Sequence, residues 1–155
     1  MQKPEIELLS ILSKMIYEYE ETNGPLYYYI KKINGIFLFV YVNQNLLEGL
    51  GLPKSFIGMD IYNPIFSKQF SDRVYTIFEE AWGGNTVFYY AMLPTNPDVF
   101  FVCMLKPIKK EGIVVEAKGH CVLFNKTDFE QFTGVVTSMG VCEICEKLGG
   151  GRNLQ

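Results

Sequence analysis

A chain of 155 residues with 48% apolar and 15% aromatic content is long enough for one hydrophobic core and too apolar for a disordered linker. With 14 basic against 17 acidic residues and a formal charge of -3, it lacks the basic surplus that would neutralise phosphates, so neither nucleic acid nor an anionic membrane is expected as a direct partner. Four cysteines without regular spacing, no run of membrane-spanning length, and a first segment interrupted by Glu5, Glu7 and Lys14 predict a cytoplasmic protein rather than a secreted or membrane one.

Leu8, Leu12, Met15 and Tyr19 recur in alternate steps of four and three, which predicts an amphipathic helix over residues 1–22 with Pro4 in its first turn. That seam has the form of a short two-stranded coiled coil, so these four residues are the candidate dimerisation set of a homodimer. Two apolar, β-rich runs, 26–33 and 36–42, flank Asn34-Gly35, the strongest short hairpin signal. A short helix follows, opened by Asn43 and stopped by Gly51 and Pro53. Residues 67–83 carry Phe70, Val74, Ile77, Phe78, Ala81 and Trp82 at helical spacing and form the main packing helix. Three strands, 86–93, 99–107 and 113–124, then close a body spanning 23–125. Residues 126–155 read as a C-terminal helix and a flexible glycine-rich tail.

The resulting fold class is α+β: a five-stranded antiparallel sheet with helices on one face and an N-terminal amphipathic helix. Its strands break the usual alternation. Val99, Phe101, Cys103 and Leu105 oppose Phe100, Val102 and Met104, while Val87, Tyr89, Ala91 and Leu93 oppose Phe88, Tyr90 and Met92. Both faces are apolar, so the sheet needs a cover on each: helices on one, and the N-terminal helix, a partner or both on the other.

This order of elements resembles the PAS sensory domain family over residues 26–124. The supporting residues are Tyr41-Val42-Asn43 ending the second strand, Leu50-Gly51-Leu52, Ile57-Gly58-Met59-Asp60-Ile61, the long helix ending at Gly83-Gly84, Met104-Leu105-Lys106-Pro107-Ile108, Glu111-Gly112-Ile113, and Gly119 where the family often has glycine. The sequence departs from the family where Asn125-Lys126-Thr127 replaces its frequent Asp-Ile-Thr ending. The resemblance implies a cavity between sheet and helices, dimerisation through the first helix and the outer sheet face, and a regulatory role without catalysis. Tyr29, Tyr41, Phe78, Trp82, Tyr89, Phe101 and Cys121 are the candidate residues for a small apolar or aromatic ligand, with a downstream effector domain or partner protein receiving the signal.

No cofactor is expected. Residues 43–83 contain no cysteine and no segment like the flavin-binding Asn-Cys-Arg-Phe-Leu-Gln of the family's light sensors, and 67–83 contain no haem-ligating histidine. No histidine or serine lies near Asp60, Glu79 or Glu80 in sequence to complete a catalytic set. The single histidine, His120, falls on the strand face away from the helices and reads as a surface or interface residue. Cys142 and Cys145, three apart on the predicted tail helix, have metal or redox spacing but too few partners for a zinc site, so an ordinary thiol pair is the favoured reading. Two alternatives to a sensor follow: a ligand-free protein-protein interaction module, and a thiol or zinc protein built on Cys142 and Cys145.

Overall fold

A computed structural model of the chain describes residues 3–127 and 142–145. Two hairpins set its frame. Strands β1 (Tyr27–Ile33) and β2 (Ile36–Val42) turn through Asn34 and Gly35 at φ 53 and 79, the consecutive positive values for which Asn-Gly is suited. Strands β4 (Val99–Lys110) and β5 (Ile113–Asn125) turn the same way through Glu111 and Gly112, at φ 54 and 82. With β3 (Val87–Met92), these five strands form the expected antiparallel sheet, and they pair in the order β2-β1-β5-β4-β3.

A sixth strand corrects the reading of the tail. Cys142–Cys145 is not helical: it forms β6, parallel to β3 in the register Tyr89↔Cys142 to Met92↔Cys145. The last strand of a five-stranded sheet presents unpaired backbone groups, and β6 satisfies them while burying Ile144 in the core. The rest of the expected C-terminal helix and tail lies outside the described residues.

Helices and one 3₁₀ turn pack around this sheet. α1 (Lys3–Asn23) stops at Gly24, whose N–H still reaches the Glu20 carbonyl at 2.8 Å before the chain turns at φ 87. α2 (Gln44–Leu50) starts after Asn43, whose side chain does not cap it. Instead Asn43 Oδ1 accepts the Tyr27 N–H at 3.1 Å and its Nδ2 donates to the Pro25 carbonyl at 2.9 Å, which fixes the start of β1. After the 3₁₀ turn Lys54–Phe56, Ser67 caps α3 (Lys68–Trp82) by accepting the Phe70 N–H at 3.1 Å. Helix α3 lays Phe70, Val74, Ile77, Phe78 and Ala81 on the sheet, and Lys32 of β1 holds its Glu79 at 2.6 Å.

The sheet has its two covers. On the inner face, α2, α3 and the segment between them bury Phe101, Cys103, Leu105, Tyr89 and Ala91. On the outer face α1 seats Leu12 and Ile16, 3% and 2% exposed, against Phe88, Tyr90, Val102, Met104 and Val122. Burying two such side chains contributes about 1.5–3 kcal/mol each, enough to hold a helix that isolated propensity would leave marginal. The expected dimerisation seam is thereby divided. Leu12 and Tyr19 pack on the chain's own sheet, Met15 is exposed beside Ile11, and the side chain of Leu8 lies outside the described part.

Candidate functional site

Between the inner sheet face and α2 and α3 lies an apolar cavity with a free volume of about 40 Å³. Leu46 and Leu50 of α2 and Phe70, Val74 and Phe78 of α3 wall it on one side. Its floor is Tyr28 of β1, Tyr89 of β3, Phe101 of β4 and Cys121 of β5. One water needs about 10–15 Å³ on this scale and benzene has been held by about 150 Å³, so the space takes only a very small molecule without displacement of a wall.

Of the residues expected to contact a ligand, Phe78, Tyr89, Phe101 and Cys121 line this cavity, and Tyr29, Tyr41 and Trp82 do not. The period of two in β1 explains Tyr29: Tyr28 points in, so Tyr27 and Tyr29 point out. A bulge between Tyr29 and Ile30 then pairs Tyr29 with Tyr41 and carries Tyr41 to the outer face too. There the rings of Tyr29 and Tyr41 each stand 5.8 Å from Tyr27, and the Lys118 ammonium sits 4.7 Å above Tyr27. Trp82 packs edge-on to Phe37, 5.9 Å between centroids, beyond the end of the cavity.

The floor contains a polar cluster that the sequence reading missed. The Tyr28 and Tyr89 hydroxyls are hydrogen-bonded at 2.5 Å, and Tyr28 Oη is 3.5 Å from Cys103 Sγ, which faces Cys121 across β4 and β5. Tyr28 reaches this far because its partner on β5 is Gly119. A Cβ at Gly119 would fall 2.4 Å from Tyr28 Cε2 and 3.0 Å from Cys103 Sγ, so the absent side chain is the bed on which the ring lies. Burial pushes both phenols and the Cys121 thiol well above their ordinary ranges, which keeps them protonated at neutral pH. Such a floor can offer hydrogen bonds but is not set to exchange protons.

Directly behind this floor, His120 faces α1. Its Nδ1 is 2.9 Å from Glu20 Oε2, with side chains only 11% and 18% exposed, and the Tyr17 ring stands edge-on at 5.6 Å. The histidine expected at a surface or interface thus makes a polar contact beneath α1. Burial pushes its imidazole below the ordinary value, against the upward pull of Glu20. Among the described residues no three metal-ligating side chains converge. The thiol or zinc alternative drew on helical spacing of Cys142 and Cys145, and that segment is a strand. No described helix is long and apolar enough to cross a membrane.

No protein-family model matches the sequence, and no curated protein does either. Solved structures share the fold. A light-oxygen-voltage domain superposes with a TM-score of 0.53 at 14% identity, over 80% of this chain and 95% of that one. A domain of a light and redox sensing histidine kinase from Haloarcula marismortui gives 0.52 at 9% identity, over 70% and 98%. The Rhodobacter sphaeroides light-oxygen-voltage protein gives 0.52 at 12% identity, over 90% and 84%. The chain therefore has a PAS-like α+β fold, with the added strand β6 on its edge.

Proposed function

We propose that the chain is a PAS-type sensory or regulatory module of signal transduction, which acts by binding and association and not by catalysis. One observation carries this reading: the cavity floor and the seat of α1 are opposite faces of the same β5 residues. Cys121 lines the cavity, Gly119 lies under the ring of Tyr28 on its floor, and His120 between them holds Glu20 of α1, so a change on the floor is felt beneath the helix. The ligand in this reading is a small apolar or aromatic molecule with one polar atom for the Tyr28 and Tyr89 hydroxyls.

Self-association is assigned to the outward stripe of α1, where Ile11 is 46% and Met15 is 37% exposed. The signal passes to a downstream effector domain or partner protein. The small free volume favours a second reading, a ligand-free interaction module with a filled core.

Native mass spectrometry of gently purified protein separates the two: a retained small molecule supports the sensor, and a bare chain whose melting is unmoved by small aromatic compounds supports the interaction module. In sedimentation, a dimer that Ile11→Asp with Met15→Asp converts to monomer supports the α1 assignment, and a dimer indifferent to both contradicts it.

A further inference from the structure

We infer that Cys103 and Cys121 are an oxidation site, a pair of buried thiols that closes to a cross-strand disulfide when hydrogen peroxide enters the cavity. The inference deepens the sensory reading by naming a stimulus for the same floor.

The backbone shows that the two residues stand at the right separation. Cys103 and Cys121 are directly opposed in the antiparallel register of β4 and β5. The Cys121 N–H donates to the Leu26 carbonyl at 2.8 Å, on the β1 side. In a strand the N–H and C=O of one residue point the same way, so Cys121 directs both toward β1 and makes a non-hydrogen-bonded pair with Cys103. Cα atoms in such pairs are about 4.5 Å apart, with their side chains at closest approach, and a disulfide spans about 4.4–6.8 Å. The bond therefore closes without movement of either strand.

Entry is through the cavity, which Cys121 lines. Its free volume of about 40 Å³ accommodates a molecule of peroxide size, and apolar walls disfavour charged oxidants. Cys121 Sγ attacks one peroxide oxygen as the O–O bond breaks, giving a sulfenic acid; the thiol proton leaves with the departing hydroxide as water. Cys103 Sγ then attacks that sulfur, the S–O bond breaks, and a second water forms. Two thiols lose two electrons and one peroxide gains them. Because burial pushes the Cys121 thiol up, thiolate is scarce and closure is slow near neutrality, accelerating about tenfold per pH unit.

The test oxidises the folded full chain and its Cys142→Ser/Cys145→Ser variant with hydrogen peroxide, alkylates in denaturant, and maps the peptides. The expected product is two hydrogens lighter, joins the Cys103 and Cys121 peptides, and reverts with dithiothreitol; in Cys103→Ala, dimedone traps the sulfenic acid on Cys121. Full alkylation of both thiols after prolonged oxidation, or a further-oxidised Cys121 with no cross-link, overturns the proposal. Neither readout requires a ligand or an output, so a failed cross-link leaves the module reading standing, and a bare chain in native mass spectrometry leaves this site standing.

Discussion

The ring of Tyr28 lies on Gly119, so close that a methyl group there would meet Tyr28 Cε2 at 2.4 Å. Gly119→Ala must push the ring off β5 and break its contact with Tyr89. The expected loss is about 1–3 kcal/mol, typical of overpacking in a filled core. Urea unfolding measures it, and in a Tyr28→Leu background the same change should cost only a fraction as much. Equal costs in the two backgrounds would contradict the contact.

The hydroxyls of Tyr28 and Tyr89 satisfy one another where there is no water to do so. Either phenylalanine substitution leaves its partner's hydroxyl short of a bond, at about 1–3 kcal/mol. Tyr28→Phe with Tyr89→Phe should then cost less than the sum of the two single changes, and a double-mutant cycle by denaturant unfolding reads the difference. Simple additivity would show that the pair is not coupled.

His120 gives a pH dependence of defined sign. Glu20 and Tyr17 of α1 face it, with Lys118 and Lys106 near on the sheet, and its imidazole is held below the usual value of about 6.5, burial outweighing Glu20. Above that value the ring is neutral whether folded or unfolded, and it adds no slope. As pH falls from about 6.5 through the lower folded value, the unfolded chain takes up the proton first and stability is lost. Melting temperature should therefore fall across this window in the wild type and more shallowly in His120→Gln. Stability rising on acidification would contradict the assignment.

Phe78 stands between α3 and the floor, where it forms part of the cavity wall. Phe78→Ala should cost about 3–5 kcal/mol and leave a hole joined to the existing space. Benzene or a small phenol should then raise the melting temperature of the variant well beyond any effect on the wild type. No ligand-dependent shift in either protein would mean that the space is not a binding cavity.

Much of this was legible in the chain. The Asn34-Gly35 hairpin, the α3 stripe and the doubly apolar strands follow from local pattern, and the alternation along β5 correctly placed His120 on the face away from α2 and α3. Three features were not legible. The bulge that turns Tyr41 outward is a matter of register between strands, which no single strand records. The reach of Tyr28 depends on a glycine paired with it from far along the chain, and the reading chose Tyr29 on the opposite face instead. The strand β6 is stabilised by an open sheet edge and not by its own four residues, so its segment was read as part of the C-terminal helix.

The account depends on α1 being the second cover of the sheet. Chemical denaturation with dye binding, on Leu12→Asp and on the exposed-site control Lys14→Asp, tests this most directly. Leu12→Asp should lose more than about 3 kcal/mol and bind a hydrophobic dye while its strand signal persists, because a carboxylate cannot lie on Val102 and Met104. Lys14→Asp should stay within about 0.5 kcal/mol of wild type. Two variants of equal stability, with no dye bound to either, would show that the outer face is not covered by this helix.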